Sequence, residues 1–110
     1  MPPLLVLAAS AALLCTPTIK SYCSAGVCKP TAATTWAKVD QPKGSYSRCD
    51  KAGCDAYSAK FSPSGVFQTV EVPGRAMLAR LGPNGEFVEI ATLGTDVYVS
   101  YGKCRESGSR

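Results

Sequence analysis

Turns carrying Gly or Pro interrupt the second half of the chain so often that a helix has no room to form. Ser62-Pro63-Ser64-Gly65, Pro73-Gly74-Arg75, Gly82-Pro83-Asn84-Gly85 and Gly94-Thr95-Asp96 each contain a Gly that supplies positive φ or a Pro that fixes φ. Between them the residues alternate with period two. Tyr57, Ala59 and Phe61 alternate with Ser58, Lys60 and Ser62, and Val97, Val99 and Tyr101 with Tyr98, Ser100 and Gly102. This predicts strands near 45–49, 55–61, 66–72, 76–81, 86–93 and 97–103, with the odd positions of the last strand facing the core. Short connections make them an antiparallel meander, and a meander buries its apolar face by closing into a small barrel or tight sandwich, here of five to six strands. A helix over 74–81, with Met77, Leu78 and Leu81 on one side, is the local rival, but Pro73 and Pro83 leave it too short. The expected class is all-β. Trp36 is expected as a core plug or barrel closure, and the strand tyrosines as half-buried packing.

Residues 1–19 carry no charge, and Leu4 to Leu14 form an apolar run of secretory length, too short to span a bilayer. The expectation is a signal peptide over 1–18, cleaved between 18 and 21, in an exported chain that is periplasmic or secreted. An uncleaved signal is the alternative and the one route to a membrane. Leu14 is too large to precede a lipidated Cys15. Residues 19–35, rich in Ser, Thr, Ala and Pro with two cysteines and no apolar periodicity, read as an irregular arm. The β-domain is expected over 36–104, and a disordered tail of Ser, Gly and charge over 105–110.

With Cys15 assigned to the leader, Cys23, Cys28, Cys49, Cys54 and Cys104 remain, an odd number. Cys23 and Cys28 have four residues between them, as do Cys49 and Cys54, so a four-cysteine zinc knuckle is an alternative. Export and a small core favour disulfides instead. Cys49 should pair with Cys54 across the Asp50–Gly53 turn, and Cys104 with Cys23 or Cys28, closing a loop of about 80 residues. The last thiol would stay free or cross-link a second chain.

The chain has no His, which removes Ser-His and Cys-His hydrolase arrangements and His-containing zinc sites. Glu86 and Glu89, three apart on a strand, point to opposite faces and cannot act as a paired acid and base. No catalytic residue, metal or cofactor is expected. The net charge is +4, and the excess lies in residues 20–60, where seven cations face three carboxylates. Lys38, Lys43, Arg48 and Lys51, with Tyr46 among them, are the candidate contacts for an anionic surface: a bacterial envelope, phospholipid head groups or an acidic protein. No Lys/Arg run and no recognition module points to nucleic acid. The expected function is a non-enzymatic exported binding domain for an envelope or extracellular partner.

Residues 80–99, Arg80-Leu81-Gly82-Pro83-Asn84-Gly85-Glu86-Phe87-Val88-Glu89-Ile90-Ala91-Thr92-Leu93-Gly94-Thr95-Asp96-Val97-Tyr98-Val99, resemble the centre of bacterial Src-homology-three-like domains. There an Arg, Gly-Pro, an aromatic, Ile-x-Thr-Leu and Gly-Thr-x-Val-x-Val occur in this order. The resemblance implies a small exported β-barrel that binds cell-wall peptide or another envelope component. The family's Leu-Asn-Val-Arg strand is Met77-Leu78-Ala79-Arg80 here, and its members lack this cysteine framework. By size, export and a bridge tying the ends of a small barrel, the chain is also similar to periplasmic lysozyme inhibitors, without their Ser/Gly-Lys loop. It is similar, too, to small exported bacterial proteins with no assigned activity.

Overall fold

The computed structural model describes residues 12–107. The described residues form ten strands: β1 (Leu13–Ser24), β2 (Val27–Thr31), β3 (Trp36–Asp40), β4 (Ser45–Asp50), β5 (Gly53–Ser58), β6 (Lys60–Ser64), β7 (Phe67–Val72), β8 (Met77–Leu81), β9 (Glu86–Leu93) and β10 (Asp96–Glu106). All paired neighbours are antiparallel, in the order β5-β4-β3-β1-β10-β9-β8-β7-β6, with β2 attached to β1 alone. The two ends of this order are halves of one segment, interrupted at Ala59, whose N–H donates to the Gly44 carbonyl at 2.9 Å. Because β5 pairs with β4 and β6 with β7, that segment nearly closes the sheet into a barrel. With β5 and β6 taken as one stave, eight staves surround the interior, a number that leaves room for packed side chains or one small ligand.

The all-β antiparallel barrel matches the expectation, but ten strands replace five to six. Three of the additional strands lie N-terminal to residue 45, and the fourth arises because the strand expected over 55–61 is divided at Ala59 into β5 and β6. The segment expected as an irregular arm forms the second half of β1 and all of β2, a hairpin turning at Ala25-Gly26. Both turn residues have positive φ, 53° and 79°, as the right-handed twist of a two-residue hairpin requires. Residues 13–18, assigned above to the leader, belong to β1, so a cut between 18 and 21 would fall inside a central strand. Residues 1–11 lie outside the described part. The β-domain therefore starts at Leu13 rather than 36. At the other end β10 runs to Glu106, and the Ser107 N–H donates to the Ala12 carbonyl, so residues 105–107 are not a disordered tail; residues 108–110 lie outside the described part. The 74–81 stretch is turn and strand, not helix.

Alternation places Ala37 and Val39, Val70 and Val72, Met77, Ala79 and Leu81, and Phe87 in one core with Leu13, Cys15 and Tyr46. Two departures from simple alternation follow. A register shift between Pro17 and Ile19 inserts an extra residue into β1, and such a bulge reverses which residues face inward beyond it. Ile19 is consequently 62% exposed, while Lys20 and Tyr22 share the interior face with their partners Ser100 and Tyr98. On β10 it is the even positions that face inward, contrary to expectation: Ser100 is 1% exposed and Tyr101 54%. Gly102 belongs to this inner row, where an added Cβ would overlap the backbone of Thr16 and Pro17. Trp36 begins β3 on the outward face, opposite Cys49 in register, and does not plug the core.

Three disulfides link residues directly opposite one another on paired strands: Cys15–Cys104, Cys23–Cys28 and Cys49–Cys54. The Cys49–Cys54 pairing is as expected. The partner of Cys104 is not Cys23 or Cys28 but Cys15, and no thiol is left over. The reason is register. Four intervening residues make two turn residues plus one flanking pair, so Cys23 and Cys28 sit at the next pair out, where side chains approach most closely. Cys15 and Cys104 tie together strands separated by 89 residues, against 5 for Cys49–Cys54. The loop-closure relation gives about 4.5 kcal/mol for the long link and about 2 kcal/mol for the short one. In thermal unfolding, Cys15→Ala/Cys104→Ala should therefore fall further below the parent than Cys49→Ala/Cys54→Ala; the reverse order would place the main covalent constraint in the hairpin.

Candidate binding site at the barrel mouth

One end of the barrel is open. It is bounded by Thr35 before β3, the last residues of β4 and β9 and the first of β8 and β10, and it holds a cavity of about 400 Å³. Lys20, Arg48 and Arg75 line it with Thr35, Thr92 and Tyr98, above an apolar wall that includes Met77, Ala91 and Leu93. Among the described residues no carboxylate lines this cavity.

Each cation arrives by a separate local device. Lys20 faces inward because of the bulge after Pro17, and its Nζ lies 5.3 Å from the Tyr98 ring centroid. Tyr98 is stacked on Tyr22 at 4.8 Å, and the Tyr22 hydroxyl donates to Asp96 at 2.8 Å, which fixes the pair of rings. Burial, then the like charge of Arg48, pulls the Lys20 ammonium below the ordinary lysine value, and Glu89 opposes that shift. Arg75 follows a turn in which the Arg75 N–H donates to the Val72 carbonyl at 3.2 Å. Pro73 fixes φ at its first central position and Gly74, at φ 82°, supplies the second. The Arg75 guanidinium is then carried over the Tyr57 ring, 5.0 Å from its centroid. Arg48 comes from β4, two residues after Tyr46 and on the same inward face.

Beneath the cavity Glu89 is 4% exposed, although carboxylates are rarely buried without partners. The Tyr46 hydroxyl donates to Glu89 Oε2 at 2.5 Å, and Arg48 Nε lies 3.3 Å from Oε1. The latter geometry is that of an ion pair rather than a hydrogen bond. Tyr46, fully buried, has its phenol pushed far above the ordinary tyrosine value, first by desolvation and then by the adjacent Glu89 charge. This group holds the floor of the site rigid. Glu86 is exposed, on the opposite face from Glu89, as their spacing predicted.

Of the residues singled out from sequence, the structure brings Tyr46 and Arg48 together at Glu89. Lys51 lies at the same end, beside a neighbouring depression with Thr34, Asp50 and Ala52. Lys38 faces outward, and Lys43 occupies the β3–β4 turn at the opposite end. Lys20, Arg75, Glu89 and Tyr98 were missed. Pro17 within a strand and Pro73-Gly74 before Arg75 are the sequence signals that could have found two of them. Cys23, Cys28, Cys49 and Cys54, the ligands of the zinc-knuckle alternative, are paired in two separate hairpins. Comparison with protein-family models, with curated proteins and with solved structures finds no match for this chain.

The buried phenol has a signature in alkali. A raised folded-state value means that Tyr46 contributes its full stabilisation below pH 10, the ordinary tyrosine value, and progressively less above it, as the unfolded chain alone releases the proton. Tyr46→Phe should cost about 2 kcal/mol at neutral pH, the scale of a hydrogen bond to a charged group. Denaturant unfolding should show that gap narrowing above pH 10; a gap that widens there would contradict the assignment.

Proposed function

We propose that the chain is a non-enzymatic binding domain acting outside the cytoplasm, on an envelope or extracellular partner, and that it recognises this partner at the barrel mouth. The observation that carries the reading is the convergence of Lys20, Arg48 and Arg75 from different staves on one cavity with apolar walls. Mouths of small β-barrels are a recurrent place for ligands, and 400 Å³ lies within the usual range for a small-molecule site. Three disulfides indicate an oxidising compartment, which supports export. On this reading any leader ends ahead of Leu13, so that Cys15 stays with Cys104. The resemblance of residues 80–99 to Src-homology-three-like domains agrees with a binding role.

Capture from envelope and secreted fractions tests the proposal. The parent and a Lys38→Gln/Lys43→Gln variant should retain the same partner, whereas Lys20→Gln/Arg75→Gln should lose it. Retention by the mouth variant with loss by the outer one would move recognition to the lysines outside the barrel.

A further inference from the structure

The proposal that the mouth is the recognition centre leaves open what enters it, and the charge balance narrows that choice. Lys20, Arg48 and Arg75 are three cations at one cavity. Glu89 is the carboxylate in direct contact with one of them, through Arg48 Nε. It is itself buried and already accepts from Tyr46. Among the described residues, Lys20 and Arg75 therefore have no ion-pair partner. Asp96 and Asp50, at the same end, accept from the Tyr22 hydroxyl and the Ala52 N–H; they keep their charge but neither line the cavity nor form an ion pair with its cations. A lone carboxylate or sulfate ester brings one negative charge and would leave the site half neutralised. A phosphate monoester carries close to two at neutral pH and presents three acceptor oxygens.

The donors suit the same group. Guanidinium forks match phosphate oxygens in pairs, and an ammonium adds a point charge. Two of the three cations rest against aromatic rings, Lys20 on Tyr98 and Arg75 on Tyr57, so they are held in place before a ligand arrives. Preorganisation of this kind reduces the ordering cost of binding. Met77, Ala91, Leu93 and the Tyr98 ring then provide an apolar wall for an organic body next to the charged group.

From this we infer that the mouth binds the phosphate monoester of a small organic molecule, with Lys20, Arg48 and Arg75 around the phosphate and the body against Met77, Ala91 and Leu93. The inference rests on the mouth being the recognition centre.

Phenyl phosphate, phenyl sulfate and benzoate share a ring and differ in charge, and amide chemical shifts of Thr92, Leu93 and Tyr98 report binding at the mouth. Phenyl phosphate should give saturable shifts there, at an affinity at least tenfold above the other two. Lys20→Met and Arg75→Gln, each with a parent-like circular dichroism spectrum, should each weaken it at least tenfold. Lys20→Arg should restore most of the loss, and Lys38→Met on the outer face should change nothing. If all three probes bind the mouth equally, the dianion assignment is overturned while the mouth remains the binding centre. If none shifts those amides, both the assignment and the mouth reading fall.

Discussion

Strand β1 has to serve three neighbours with twelve residues. From Leu13 to Cys23, apart from the bulge, it pairs with β10; on its other edge the first residues pair with β3 and the last with β2. An antiparallel sheet of consecutive hairpins would otherwise end in two open edges at β3 and β10, each a template for aggregation. β1 fills that gap, and the β5–β6 segment fills the one on the far side. The Cys15–Cys104 link holds the first of these closures covalently, at a pair where both side chains face the interior. The meander β7 to β10 is local in sequence, but it becomes a barrel wall only because β1 brings the N-terminal strands against it.

The same strand divides the interior in two. Before the bulge, Leu13, Cys15 and Pro17 are buried; after it, the inward residues are Lys20 and Tyr22. The barrel is correspondingly apolar at one end and polar at the other, where Tyr46, Glu89 and Arg48 interlock beneath an open mouth. Burying a carboxylate is tolerable only because a phenol and a guanidinium meet it, and removing one partner of such a set leaves an uncompensated charge. A core built for stability alone would place an apolar residue at position 89. The polar floor makes physical sense as the support of a site, since it fixes Arg48 at the edge of the cavity.

Much of the wall was legible in sequence. Turn chemistry at Pro73-Gly74, Gly82 to Gly85 and Gly94 locates β7 to β9 and the start of β10 within a residue, because each turn demands a conformation that few residues adopt; the end of β10, which no such turn marks, runs three residues past the expected 103. The phase of β10 was not legible. Val97, Val99 and Tyr101 look like a core face, yet the interior they would face is occupied by a polar group from β4 and β9. Period-two alternation gives two faces without saying which is inside. The N-terminal strands were hidden for another reason: Leu13 and Leu14 continue an apolar run that resembles a leader, and β2 is exposed throughout and carries no apolar face to betray it. Assigning Cys15 to the leader then forced an odd cysteine count and the wrong partner for Cys104. In the site, Arg48 and Tyr46 were visible as a basic stretch with an aromatic, whereas Lys20 and Arg75 reach the mouth through a bulge and a turn, which only tertiary pairing reveals.

The central place of β1 is open to one direct measurement, amide hydrogen exchange followed by peptide mass. If β1 is the stave that closes the barrel, peptides covering 13–20 should exchange as slowly as those covering 77–91, by opening of the whole domain, while the exposed strand over 27–31 exchanges early. Exchange of 13–20 as fast as 27–31, with 77–91 still protected, would show that the barrel holds together without β1 and would contradict the account.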